Sequence, residues 1–155
     1  VVNLKYELTT VEHLHYIAEH MREADRIEIK ASHGHTPLEA LLSGFNCSKD
    51  VVTAFGSSGR PLFVFGVNPG MILSNSGIIW ALGCDELLDY RYSFIMDFPI
   101  LLGLLLDKYK KLENYVHVKN VVSVAWLKKV GFIMDEPLLF THSGEYFMHF
   151  HMERS

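Results

Sequence analysis

The 155-residue sequence predicts an α/β fold built on a mixed central sheet flanked by helices. Three observations point there. The middle of the chain carries strand-forming runs that are apolar at nearly every position, as strands covered on both faces are. Stretches with helical spacing and N-terminal capping signals lie on either side of those runs. A composition of 49% hydrophobic and 21% charged residues belongs to a chain that buries a core.

The elements follow in order. Asn3 to Thr9 alternates polar and apolar residues and reads as a first strand. Thr9-Thr10-Val11-Glu12 has the form of a capping box, with a helix beyond it that turns Val11, Leu14, Ile17, Ala18 and Met21 inward. Thr36-Pro37-Leu38-Glu39 starts a second helix with an N-cap hydroxyl, a proline where no N–H is needed and a glutamate at N3; Gly44 is its expected stop. Val51–Phe55 and Pro61–Val67 are strands joined through Gly56-Ser57-Ser58-Gly59-Arg60, and Gly77–Leu82 is the next strand after the Asn68-Pro69-Gly70 turn. A long helix spans about 91–112, starting or kinking near Pro99. Asn114–Val118 is a strand, Val121–Lys129 a short helix ending at Gly131, and a closing pair of strands runs from Phe132 to Met152. With no repeat or linker, the expectation is one domain over residues 1–155.

Composition excludes several function classes. A formal charge of -4 argues against general nucleic-acid binding, which needs a basic face. The longest apolar run, Phe98 to Leu106, is too short to span a bilayer, and the first residues lack a signal-peptide pattern, so a cytoplasmic, soluble chain is expected. Cys47 and Cys84, far apart, read as ordinary thiols of a reducing compartment. His149 and His151 would share one face of a strand and are the most plausible metal pair. No cysteine or carboxylate cluster at ligand spacing completes a site, so no metal is expected.

One segment carries chemistry. Asn120 ends a strand, Val121 to Lys129 forms a short helix, and Gly131-Phe132 follows without insertion. This spacing resembles the corresponding motif of the GNAT (N-acetyltransferase) superfamily. Gly77 to Leu87, Asn114-Tyr115-Val116, Met21 to Glu28 and Tyr146 to Arg154 are similar to a phage branch of that superfamily. Its members are described as acetyltransferase-like or as proteins that build the internal core of the virion.

The resemblance implies splayed fourth and fifth strands with acetyl-CoA in the gap, as substrate beside an unknown amine. It implies a pantetheine arm against the backbone of Trp80, Ala81 and Leu82, with Asn120 and Arg91 as further cofactor-binding positions. Asp85 and Glu86 stand where a general base is found. A virion protein is the alternative partner, and a homodimer an available assembly. Two family features are missing. No glycine lies between Gly83 and Gly103, so the glycine loop for the pyrophosphate is absent, and Leu127 stands where a tyrosine would protonate the leaving thiolate.

Overall fold

A computed structural model describes residues 4–71 and 73–155. The elements are β1 (Lys5–Leu8), α1 (Val11–Glu19), α2 (Glu23–His33), α3 (Pro37–Cys47), β2 (Lys49–Phe55), β3 (Pro61–Asn68) and β4 (Ser76–Gly83). A 3₁₀ turn over Asp85–Tyr90 then leads to α4 (Arg91–Lys108), β5 (Lys111–His117), α5 (Val121–Lys129), β6 (Ile133–Met134), β7 (Leu138–Phe140) and β8 (Glu145–Glu153). The strands form one eight-stranded sheet in the order β1-β2-β3-β4-β5-β8-β6, with β7 also on β8. Every pairing is antiparallel except β4 with β5, so the sheet is mixed as expected.

Two apolar layers cover the sheet. Leu14 and Ile17 of α1 and Leu41 of α3 are fully buried against Val64 of β3 and Leu82 of β4. On the other face, Phe94, Phe98 and Leu102 of α4 pack with Phe63, Phe65, Leu112 and Phe150. Phe63 meets Phe94 edge-on at 5.3 Å and Phe94 stacks on Phe98 at 4.8 Å, a favourable arrangement for rings of this charge distribution. This face is why a helix holding Pro99 stays intact: α4 continues through the proline with Phe94, Phe98 and Leu102 anchored at four-residue intervals. Long apolar side chains remain outside on the same helix, at Tyr92, Met96, Ile100 and Leu104. Among the described residues no helix is long and apolar enough to cross a membrane.

Several boundaries depart from the sequence reading. Asn3, taken as the start of the first strand, lies outside the described residues. The N-cap of α1 is Thr10, not Thr9; His13 at N3 returns its Nδ1 to the Thr10 N–H at 3.1 Å, closing a capping box with an imidazole in place of the carboxylate. The Thr36–Glu39 capping box forms as expected. Gly44 does not end α3, which runs to Cys47. It lies inside the helix, where an added Cβ would meet the Trp80 ring at 2.8 Å, so close packing is what needs glycine there. α4 ends at Lys108 and β5 begins at Lys111, and the closing pair of strands is three strands.

The largest difference is α2, which the apolar periodicity did not disclose. It opens after Arg22 and stops at Gly34, whose φ of 71° is the left-handed conformation a glycine cap adopts. Its inward face is mixed rather than apolar: Asp25, 3% exposed, is buried beside Ile29, while Ile27 is 46% exposed.

Candidate active site

β4 and β5 pair only at their start, through Ser76 with Lys111, Gly77 with Leu112 and Ile78 with Glu113. Beyond that point they part. Asn114 marks the fork, its Nδ2 donating to the Ile79 carbonyl at 2.8 Å in place of the next ladder bond. Further along, each strand end is held by α2. The Gly83 N–H donates to Asp25 Oδ2 at 3.0 Å and the Gly83 carbonyl accepts from the Arg22 N–H at 2.9 Å. The His117 N–H donates to Glu28 Oε1 at 2.5 Å. Backbone groups that an unbroken sheet would pair with each other are therefore satisfied by a helix laid over the gap.

The arrangement of β4 picks out one residue. On a strand, the N–H and C=O of one residue point to the same side and alternate along the chain. The Ile79 carbonyl and the Gly83 N–H both point into the gap. Ala81, midway between them, must direct its N–H and C=O there too, while Trp80 and Leu82 direct theirs to Gly66 and Val64 of β3. Of the three expected pantetheine-binding positions, Ala81 is thus the one whose backbone faces the opening. The Trp80 side chain packs instead on α3, its Nε1 donating to Ser48 Oγ at 2.8 Å.

The gap opens into a cavity of about 540 Å³ whose walls reach both layers of the fold. Glu28 and Ile29 of α2 line it on one side, and Phe94, Phe98, Trp126 and Leu127 on the other. Phe94 and Trp126, with ring centres 4.8 Å apart, bring α4 and α5 together at its apolar end. Leu127 lies in this wall and offers no proton.

A buried polar network forms the other end. Arg22 Nη1 donates to Asp25 Oδ1 at 3.1 Å and to Ser123 Oγ at 3.3 Å, and Arg22 Nη2 donates to Asn120 Oδ1 at 3.3 Å. Asn120 Nδ2 donates to Asp25 Oδ1 and to Glu28 Oε2, each at 3.3 Å. Burial raises the Asp25 carboxyl against the pull of Arg22 and the Gly83 N–H. Burial, with the nearby Asp25 charge, pushes the Glu28 carboxyl up to about 8. A carboxyl of that acidity, set in a cavity wall, is matched to taking a proton from an ammonium group at mildly alkaline pH, where it is ionised.

The other expected site residues fall elsewhere. Asn120 is 2% exposed and ties α5 to α2. Glu86 faces outward to Arg60, with Oε1 2.6 Å from Nη2, and accepts from Ser58 Oγ. Asp85 is exposed, and neither carboxylate lines the large cavity; with Cys84 they edge a shallow hollow beside Glu19 and His20. Burial raises the Cys84 thiol to about 12, so it is held as a thiol. Arg91 is exposed, its guanidinium 5.2 Å from the Tyr92 ring centre. The structure brings Trp80, Ala81 and Leu82 to the cavity with Arg22, Asp25 and Glu28, which residue patterns alone did not single out as site residues.

No protein-family model matches the chain, and no curated protein matches it either. Solved structures do. Spermidine N-acetyltransferase from Vibrio cholerae, solved with CoA and spermine, superposes with a TM-score of 0.66 at 12% identity, covering 97% of this chain and 95% of that one. The smu.2055 protein of Streptococcus mutans gives a TM-score of 0.70 at 12% identity over 96% of this chain and 98% of its own. A chimera of Vibrio cholerae spermidine N-acetyltransferase SpeG with hSSAT gives 0.65 at 12% identity over 97% and 95%. At such identities the likeness is one of architecture, and the architecture is that of the GNAT acetyltransferases, with its fourth and fifth strands splayed.

Proposed function

We propose that this chain is a phage-type, N-acetyltransferase-like protein that takes acetyl-CoA in the opening between β4 and β5 and an amine from the α2 side. The observation that carries the reading is the unpaired edge at Ala81, which opens on a cavity bounded by a carboxyl of pKa about 8. An amide-bearing chain such as pantetheine can bond that edge as a short extra strand would. Glu28, rather than Asp85 or Glu86, is then the base. Its carboxylate takes a proton from the bound ammonium, and the freed amine attacks the thioester carbonyl. The C–N bond forms as the C–S bond breaks and the thiolate leaves; the further proton shed by the nitrogen reaches it through water, since Leu127 cannot donate. Direct transfer in a ternary complex needs no covalent enzyme intermediate.

The test is thermal unfolding with acetyl-CoA, using desulfo-CoA and ATP as controls, followed by mass spectrometry of polyamine and peptide amines. Acetyl-CoA at 100 times its dissociation constant stabilises the native state by about 2.7 kcal/mol. No shift at millimolar ligand removes the reading.

A second reading has its own support: the protein keeps the fold as a non-catalytic component in assembly of the virion core. The turn before α4 carries exposed Asp85 and Asp89 and no glycine, an unfavourable seat for a pyrophosphate. The exposed row Tyr92, Met96, Ile100 and Leu104 gives such a protein an apolar face. Under this reading, affinity capture from infected cells returns virion proteins, and wild-type protein shows no acetyl-CoA shift.

A further inference from the structure

The antiparallel edge formed by β6 and β8 brings together a group of side chains far from the gap. Ile133 pairs with His151 and Met134 with Phe150, and the next residue, Asp135, donates its N–H to the His149 carbonyl at 2.9 Å. That register sets the Asp135 carboxylate over one face of β8, where His149 and His151, two residues apart, present stacked rings 5.1 Å between centres. Asp135 Oδ2 lies 2.7 Å from His149 Nδ1, and Asp135 Oδ1 lies 3.3 Å from His151 Nε2. One ligand atom from each of the three residues falls within 4.8 Å of the others.

We propose that Asp135, His149 and His151 bind a divalent cation of the zinc class, with an open fourth position for water. Two imidazoles and a carboxylate are a donor set suited to such an ion. The second layer is also in place. His149 Nε2 lies 2.8 Å from Glu113 Oε1 on β5, the carboxylate–imidazole arrangement that holds a ligating ring's proton on the far nitrogen and turns the near one to the metal. Both nitrogens of His149 face carboxylates, so a neutral ring satisfies one and leaves the other against an unprotonated nitrogen. Either a second ring proton or a cation at Nδ1 completes that arrangement. His151 Nδ1 is buried with no hydrogen-bond partner among the described residues, which leaves Nε2, the nitrogen turned to Asp135, as its outward-directed atom.

Ligand atoms on a tetrahedral zinc lie about 3.4 Å apart. The contact of His151 Nε2 with Asp135 Oδ1, at 3.3 Å, is already close to that value, and the 2.7 Å contact of His149 Nδ1 with Asp135 Oδ2 needs to open by about 0.7 Å. Asp135, 49% exposed, has room to give, and the histidines, 21% and 20% exposed, are held by their strand. The ion would clip the turn after β6 to the last strand.

The test uses the full chain without a histidine tag, titrated with Co²⁺ and then with Zn²⁺. One Co²⁺ per chain is expected, with the strong visible absorption of a four-coordinate ion, bleached by Zn²⁺. His149→Ala and His151→Ala each abolish the band, His15→Ala leaves it, and Glu113→Gln weakens affinity about tenfold or more. Metal-free circular dichroism and thermal midpoints establish that the variants fold. Asp135→Asn, at an exposed side chain, serves if the strand variants do not. A wild type without saturable binding overturns the proposal, as does a band that survives in the double histidine variant. Both results are independent of acetyl-CoA binding.

Discussion

The two halves of the β4–β5 pair are made of the same kind of backbone and solve its hydrogen bonding in opposite ways. From Ser76 to Ile78 the strand bonds its parallel neighbour. Beyond Ile78 its gap-facing groups turn elsewhere: the Ile79 carbonyl to Asn114 at the fork, and Gly83 to Asp25 and the Arg22 N–H at the end, with Glu28 taking the His117 N–H of β5. A ladder bond needs only backbone, so nearly any apolar sequence supports the first half. The second half requires ionisable groups in a buried place, which is costly unless each is paired. The gap is therefore where the fold is chemically expensive, and where a reactive group such as Glu28 can be kept.

Substitutions can break that contrast at graded strengths. Asp25→Ala should have the largest effect, about 3–5 kcal/mol of lost stability, because Arg22 would keep its charge while buried and lose its partner. Chemical denaturation measures this, and a loss below about 1 kcal/mol would mean that the end of the gap is not held by the ion pair.

Glu28 gives a pH-dependent signature. Its pKa rises from 4.5 in the free residue to about 8 in the fold, so on raising the pH the unfolded chain loses this proton first. Stability from this group is then full below about pH 4.5 and declines up to about pH 8, with a slope of at most about 1.4 kcal/mol per pH unit. Glu28→Gln, which cannot ionise, should flatten that slope and, under the acetyltransferase reading, lower kcat far more than KM. A variant with the wild-type slope would remove Glu28 as the titrating group.

At the fork, Asn114→Ala removes one partly buried hydrogen bond and should cost about 1 kcal/mol, a shift in thermal midpoint of a few degrees. Smallest of all is Glu86→Ala. Its partners Arg60 and Ser58 are on the surface, so the thermal midpoint and any acetyl-CoA shift should stay where they are. A large loss of acetyl transfer in this variant would return the base to the turn after β4.

How far the sequence could be read follows the same division. The Thr36–Glu39 cap, the strands of β2 to β4 and the Val121–Lys129 helix were legible because local rules govern them: a side-chain acceptor at an N-cap, apolar runs under helices, a glycine after a helix end. Gly131, with φ of 110°, takes at that helix end a positive-φ conformation that glycine adopts readily. The site was less legible. Asp85 and Glu86 were attractive for their position after β4, but chain position says nothing of the direction a carboxylate faces. Arg22, Asp25 and Glu28 recur at three-residue spacing, a helical signal, yet a search weighted to apolar residues passes over a helix whose charged side turns inward. The surface cluster was half visible. The His149–His151 spacing was read correctly as one strand face, while Asp135 and Glu113 reach it only through pairing with β6 and β5.

The sequence by itself therefore determined the α/β class, most elements and the Asn120 to Phe132 motif, since propensity, capping and apolar periodicity act over a few residues. Only the tertiary structure decided where β4 and β5 part, that Ala81 faces the opening and that Glu28 is the cavity-wall carboxyl pushed up to about 8. Those outcomes depend on burial and on partners up to about a hundred residues away, such as Asn120 for Arg22. Desolvation and long-range hydrogen bonding are properties of the assembled fold, and no local pattern encodes them.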